Sequence, residues 1–488
     1  MPADIDGRSA GRSGSSAAQP PIGRAPDPSI GRAPDPSIGR APDPSIGRAP
    51  DRGSPSWLDE RRAEALAAYE AEPVPTWRRS GFWTTSLRKL DLDALEARRY
   101  EAGDELPPTV AAALGHSADD GAARLGALIV QRGASTIHTM LDPELAEQGV
   151  IVCSLEQAVD EHPDLVREHY MGRLSHAEGK FAAAAAAFWT GGAFIHVPAD
   201  VKVELPIQTV YLIDEPGVVQ YAHTLAVVGE HSECAIREYC LGAPIDGQAL
   251  HAGAFELYAR PGANVKLAHF HDWGPGEIYD ISTKRVEIAR DAHVGWVPIH
   301  LGGRLVKQVL DIVTAERGAD MRHTGLYFTE GDEHLDLFTT DRKEAGHTTG
   351  DTIWKGALTG ASRASYEGLI HILPDAQETH TYLQTHQMLL SQKAKGDAIP
   401  SLIVETDNVS ASHGGTVGEL DEDQIFYMTS RGIPRAEAVR VLVEGYFEEV
   451  VQRLGDPELA ALVRGRIAEK LEAARDQVQE FIGERAEI

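Results

Sequence analysis

The chain is poor in cysteine. Of 488 residues, only Cys153, Cys234 and Cys240 carry a thiol. Three thiols exclude a disulfide-stapled scaffold and any self-contained four-cysteine zinc or iron–sulfur site, and so low a count fits a reducing compartment. Positive charge is also short: 46 Lys and Arg stand against 74 Asp and Glu, a net charge of −28. That balance argues against broad binding to phosphate backbones or anionic lipid. Long apolar runs are missing; Ala182 to Ala187, followed by Phe188 and Trp189, falls far short of the ~18 residues of a membrane helix. No basic stretch followed by an apolar one opens the chain, so no secretory signal is read there. The expectation is a cytoplasmic protein with no nucleic-acid or membrane partner. Nucleotide and serine-hydrolase motifs are missing too. Gly179-Lys180 runs into Phe181, no Gly-x-Gly-x-x-Gly follows a strand, and there is no Gly-x-Ser-x-Gly.

What is present begins with a tail. The octamer Ile-Gly-Arg-Ala-Pro-Asp-Pro-Ser runs from Ile22 to Ser29, Ile30 to Ser37 and Ile38 to Ser45, and a fourth copy decays after Asp51. Two prolines and a glycine in every octamer forbid regular helix, and one isoleucine per repeat cannot offset the ordering entropy. Residues 1–55 read as a disordered tail. Residues 56–185 read as a helix-rich N-terminal domain, opened by a helix that Ser56 would cap, with Asp59 at its third position. A further helix is expected from Ser154 to Tyr170.

From 186 to 415 the texture changes to short alternating runs bounded by turns, such as Ala193–Val197, Val265–Phe270, Gly295–His300 and Ser365–Ile372. No long helix intervenes, so doubly wound α/β folds are out. The turns carry a loose repeat: Pro-Gly-Ala-Asn at 261–264, Arg-Asp-Ala-His at 290–293, Arg-Gly-Ala-Asp at 317–320, Thr-Gly-Ala-Ser at 359–362 and Pro-Asp-Ala-Gln at 374–377. A small residue between a tight turn and an inward apolar residue suits the corners of a stacked β-coil, which is favoured over a β-sandwich with similar turns. Residues 416–488 return to helix. A short segment runs from Asp421 to Ser430. Pro434 opens a helix with Val439, Leu442, Val443, Tyr446, Phe447, Val450, Val451 and Leu454 as an amphipathic stripe, closed by Gly455. A last helix is expected from Pro457 to about Phe481. The stripe reads first as packing within this small module and second as a docking face for a partner.

Two chemical readings follow from the residues alone. His269 and His271 lie two apart on an expected strand, so both imidazoles share a face. With Gly262 and Glu277 they loosely resemble a cupin metal motif, and a cupin-like metal-dependent oxygenase is the rival enzyme reading. Cys240 reads as a small buried residue, and it becomes a reactive thiol only if a cation lowers its pKa.

The segment from Lys395 to Phe447 is more specific. It carries Glu405-Thr-Asp-Asn-Val-Ser-Ala-Ser-His413-Gly-Gly-Thr-Val-Gly, then Asp421-Glu-Asp-Gln-Ile-Phe-Tyr and Ser430-Arg-Gly-Ile-Pro434. With Gly149-Val-Ile-Val-Cys-Ser-Leu, Gly191-Gly-Ala-Phe-Ile-His-Val-Pro and Ser282-Thr-Lys-Arg, it resembles the SufB/SufD family of the SUF iron–sulfur cluster assembly system. The opening Ser56-Trp57-Leu58, Arg61-Arg62 and Tyr69 looks like SufD rather than SufB.

The resemblance implies a mainly β fold, a right-handed parallel β-helix flanked by N-terminal and C-terminal α-helical domains. It implies pairing with a SufB-like subunit through the β-helix ends, and docking of a SufC ATPase on the C-terminal domain, where Tyr446 and Phe447 are the candidate contacts. Truncation at Gly432 would then remove SufC binding and leave the β-helix folded. The chain would be a non-catalytic scaffold subunit with no tightly bound cofactor of its own, able to pair with itself when alone. His413 matches the histidine that helps hold the nascent cluster or its iron, shared with SufB, and Asp407 and Glu419 are candidates to orient it. Two cysteines of the family are replaced, by Ala411 and Ala394. Cys240, Trp273 and Lys284 match residues on the SufB route for incoming sulfur, with core packing as the favoured reading for all three here.

Overall fold

The computed structural model describes residues 55–75, 87–103, 105–115, 125–476 and 478; the octamer repeats and the end of the last expected helix fall outside them. The N-terminal part carries α1 (Ser56–Ala71), α2 (Pro108–Ala113), β1 (Ala127–Arg132), β2 (Ser135–Leu141), α3 (Pro143–Glu147), β3 (Ile151–Cys153), α4 (Leu155–Glu161), α5 (Pro163–His169) and α6 (Lys180–Phe188). Then the chain coils. β4 (Ala193–Val197), β6 (Val219–Val228), β8 (Gln248–Ala259), β10 (Glu277–Ile288), β12 (Leu305–Thr314), β14 (His334–Lys343), β16 (Arg363–Ile372) and β18 (Lys395–Val404) form one parallel sheet. The strands between them form the other: β5 (Ile207–Ile213), β7 (Glu233–Gly242), β9 (Asn264–Asp272), β11 (His293–His300), β13 (Asp320–Thr329), β15 (Thr349–Leu358), β17 (Thr379–Leu389) and β19 (Val409–Glu419). The result is a β-solenoid of about eight turns. Each turn contributes one strand to the even sheet and one to the odd sheet.

Register stacks like positions on like. Cys234, Val265, Val294 and Met321 are successive partners across β7, β9, β11 and β13, and all four are buried in the solenoid interior. Corners are equally regular. Asp200, His231, Gly262, Asp291, Gly318, His347 and Glu378 occupy one row of corners, each with φ between 56° and 77°. Their amides donate to the next coil, His231 to the Pro261 carbonyl at 3.0 Å and Gly262 to Arg290 at 2.8 Å. Glycine is required at 262 and 318 for a second reason. A Cβ there would collide with the His231 imidazole or the Asp291 carboxylate of the preceding coil. Ala263, Ala292 and Ala319 each directly follow a residue of this row and are buried; Ala376 sits in the same row of corners, two residues before Glu378, and is also buried, whereas Ala361 belongs to the opposite row of corners and is exposed. The irregular spacing of the alanine repeat is thus two rows read as one.

The two ends differ. At the start, the β1–β2 hairpin extends the odd sheet and the short antiparallel β3 closes the even sheet. At the far end, β18 and β19 are the edge strands of their sheets, and no described element covers them. Helices cover the outer faces. Leu155, Val166, Phe181 and Phe188 pack with Tyr221, Leu225 and Tyr258 on the even sheet. α8 (Arg435–Arg453) and α9 (Pro457–Ala473), preceded by α7 (Glu422–Ser430), pack with Tyr239, Phe270, Leu326 and Phe328 on the odd sheet.

Several sequence expectations need correction. α1 starts at Ser56 with Pro55 in the capping position and no side-chain cap, so Ser56 is its first residue. The helix expected from Ser154 to Tyr170 is two helices. Ser154 does cap α4, accepting from the Gln157 amide at 3.1 Å, but Pro163 lacks the N–H that would continue it and opens α5 instead. Residues 127–153, read as part of a helix-rich region, hold three strands. The amphipathic stripe of α8 does not close only on its own module: it seats on the solenoid.

Candidate functional site

The first candidate site is the open end. Along β19, Ala411, His413, Gly415 and Val417 alternate onto one face. Their partners Thr381, Leu383, Thr385 and Gln387 on β17 are all buried in the interior. A Cβ on Gly415 would lie 3.3 Å from the Ala398 side chain of β18. His413 therefore points into the mouth of the last coil, and it is exposed because no described residue stacks on it. The mouth is otherwise small or apolar, with Val404 and Val417 each more than 40% exposed. His413 makes no side-chain hydrogen bond or ion pair with any described residue. Glu419 lies six residues along the same strand, about 20 Å away, so it does not orient this imidazole. Asp407, in the corner before β19, shows no bond to it either.

No thiol shares the mouth. Ala394 is buried in the corner between β17 and β18, Ala411 is on β19, and all three cysteines are buried and free. The mouth offers iron one borderline nitrogen ligand and no soft sulfur.

The second candidate is the solenoid interior, which is unusually polar. Cys240 partners His271 across β7 and β9. It lies six strand spacings from β19, about 29 Å, so Cys240 and His413 cannot share one metal. Burial and then the Glu238 carboxylate push the Cys240 thiol well above its ordinary range, and Lys284 offsets this only in part. Lys284 is fully enclosed. Burial works against its charge, but Glu238, 2.6 Å from Nζ, holds its pKa above the ordinary value. Trp273 donates from Nε1 to Asp280 at 3.0 Å, and His271 and Gln308 meet the same carboxylate oxygen at 3.0 Å. Trp296 donates to His269 at 2.8 Å. His323 stacks on Trp296 with ring centres 4.9 Å apart, and His300 stacks on His271 at 4.8 Å. Burial drives His269 and His300 well below the ordinary imidazole range, and it lowers His251 to about 4 and His323 to about 3. Several buried nitrogens find no hydrogen-bond partner among the described residues: Nε2 of His269, which lies 3.6 Å from the Glu238 carboxylate, Nε2 of His323, and both nitrogens of His300.

Cys240, Trp273 and Lys284 thus stand in one buried network, which the sequence order hides. The cupin reading loses its footing in the same place. His269 and His271 do share the inward face, but His271 is bound to Asp280 and His269 to Trp296. Glu277 belongs to the alternate face of β10 and pairs with Arg304 at 3.4 Å. Among the described residues no group of three or more His, Cys, Asp or Glu side chains is placed to hold a metal ion.

Comparison with known proteins agrees with this architecture. Residues 211–446 match the model of the SUF system FeS cluster assembly SufBD core domain, and residues 133–209 match the SufBD protein N-terminal region. The chain belongs to the SufBD family. An iron–sulfur cluster assembly SufBD family protein of Staphylococcus epidermidis is 25% identical over 408 residues, covering 82% of this chain and 86% of the relative. The iron–sulfur cluster assembly protein SufB of Bacillus subtilis is 24% identical over the same length, with the same coverage.

For a SufBD chain, the C-terminal helices matter next. Phe447 is fully buried, its ring 6.4 Å from Phe328 of β13. Tyr446 is half-buried; its hydroxyl donates to the His386 carbonyl at 2.7 Å, and its own carbonyl accepts from Lys355 at 2.9 Å. These two residues fasten α8 to the solenoid and are not a free contact face. Among the described residues of the C-terminal helices, the exposed aromatics are Phe426 and Tyr427 on α7, at 71% and 59%. They were legible in the sequence as Gln424-Ile-Phe-Tyr, but only the fold separates them from buried Ile425 beside them.

Proposed function

We propose that this chain is a SufD-like, non-catalytic subunit of a SUF scaffold that assembles iron–sulfur clusters with a SufB-like subunit and a SufC-like ATPase. The uncapped last coil carries this reading. A solenoid needs a cap at each end, and two bare edge strands of ten and eleven residues are a template for another chain's strands. A SufB-like solenoid end supplies those strands, and in its absence a second copy of this chain does. The mouth presents His413 without a thiolate, so iron or a nascent cluster held there takes its sulfur ligands from the partner. The cluster is cargo in this scheme, not a resident cofactor. The ATPase docks on the exposed α7 aromatics Phe426 and Tyr427, since Tyr446 and Phe447 are occupied by the chain's own solenoid. No described helix is long and apolar enough to cross a membrane, which is compatible with a scaffold in the cytoplasm.

The test is co-expression with SufB-like and SufC-like chains from the same source, followed by size-exclusion chromatography. A Val404→Glu/Val417→Glu double variant puts two carboxylates in the mouth. It is expected to elute without the SufB-like chain while retaining its own fold. Co-elution unchanged by the double variant would place the pairing surface elsewhere.

A further inference from the structure

A cavity of about 1060 Å³ lies between the outer face of the odd sheet and the turn joining α8 to α9. Lys266, Gly295 and Arg322 are register partners on β9, β11 and β13 and all line it. The two cations therefore stand two strand spacings apart, about 10 Å, with a glycine between them. Neither is in an ion pair or a side-chain hydrogen bond with a described residue, although the Arg322 charge acts on Asp320 and Asp351 is its register partner on β15. Their neighbours are different. Arg453 is paired with Asp351 at 2.9 Å, and Lys355 with Glu449 at 2.8 Å. Arg237, also on the lining, is buried and pairs with Asp456, yet its Nε has no partner. Of the lining carboxylates, Asp351 and Asp456 are taken by these arginines, Glu458 lies 3.5 Å from Arg237, and Glu204 precedes β5. In a chain of net charge −28, cations left unpaired in a cleft attract anions rather than satisfy local acids. Among the described residues no Phe, Tyr or Trp lines the cavity, so the described lining lacks the aromatic anchors of a protein interface.

We infer that this cleft binds a small multivalent oxyanion, one anionic group on Lys266 and another on Arg322, bridged over Gly295. Lysine offers a point charge and arginine a fork, and both suit carboxylate and phosphate oxygens. Gly295 is what keeps the space between the cations open. A Cβ there would meet nothing within 4 Å, and its backbone is not in the left-handed region, so the strand tolerates a side chain.

The experiment is calorimetric titration of the full chain at low salt with citrate, pyrophosphate, acetate and a tetraglutamate peptide. Citrate or pyrophosphate is expected to bind, more weakly as salt rises, and acetate is not. Lys266→Gln and Arg322→Gln should each weaken binding at least about tenfold, the loss of one charge-assisted contact. Gly295→Asp, which sets a carboxylate between the cations, should abolish binding without lowering the melting temperature. Failure of both polyanions to bind, binding of the peptide alone, or equal binding by folded Gly295→Asp overturns the inference.

Discussion

Lowering the pH should loosen the solenoid from inside, and His323 is the place to measure it. The imidazole is 1% exposed, packed between Trp296 and Trp354 with ring centres 4.9 and 5.4 Å away. Burial depresses its pKa from 6.5 to about 3. Between these values the unfolded chain binds the proton and the folded chain does not, so stability is full above pH 6.5 and falls as the pH drops. At pH 5 the gap is about 1.5 pH units, or about 2 kcal/mol. His251, held down to about 4, adds a loss of similar size. Glu333 is raised to about 7 by burial and works in the opposite direction, so the test is a difference between chains. Urea unfolding followed by tryptophan fluorescence at pH 7 and pH 5 would compare wild type with His323→Leu. The variant should lose about 2 kcal/mol less than wild type over that interval. Equal losses in the two chains would refute the claim that this imidazole is held neutral.

Other outcomes follow from the packing. Gly242→Ala drives a methyl group into the Trp273 carbonyl and should cost about 1–3 kcal/mol, whereas Gly295→Ala meets open space and should leave the urea midpoint nearly unchanged. Phe447→Ala opens a void between α8 and β13 and should cost about 3–5 kcal/mol. By the same reasoning, truncation at Gly432 strips the cover from Phe270 and Phe328, so the shortened chain should aggregate on expression, contrary to the view that the β-helix would stand alone. Phe426→Glu/Tyr427→Glu should abolish co-elution with a SufC-like ATPase at an unchanged melting temperature. Cys240 should resist iodoacetamide in the folded chain, read by mass spectrometry, and react once urea unfolds it.

Strands were easiest to read from sequence where most inward positions are apolar. Ala193–Val197 is recovered residue for residue as β4, and Val265–Phe270 falls inside β9. β7, β15 and β17 escaped because their inward faces carry Glu238, Thr352, Thr381, Thr385 and Gln387, which blur the alternation that marks a half-buried strand. The same polar interior hid the network around Cys240. Lys284 and Glu238 are 46 residues apart, and Trp296 and His269 are 27 apart, so only coil stacking brings them together. His413 was found through its motif, but its place at an unstacked mouth depends on register with Leu383, which no local pattern reveals. The α8 stripe was legible as apolar at helical spacing. Its partner was not, because the face that receives it is assembled from β7, β9 and β13, which only coil stacking brings together.

The central claim is that the mouth at His413 holds iron or a nascent cluster jointly with a partner chain. The direct measurement is the iron and sulfide content of the complex with SufB-like and SufC-like chains, isolated without oxygen, for wild type, His413→Ala and His371→Ala. His371 is the control because it pairs with Glu405 at 2.7 Å on the alternate face of β16, away from the interior. All three complexes should assemble, with iron and sulfide reduced in His413→Ala alone. A His413→Ala complex that carries as much iron and sulfide as wild type would contradict the account.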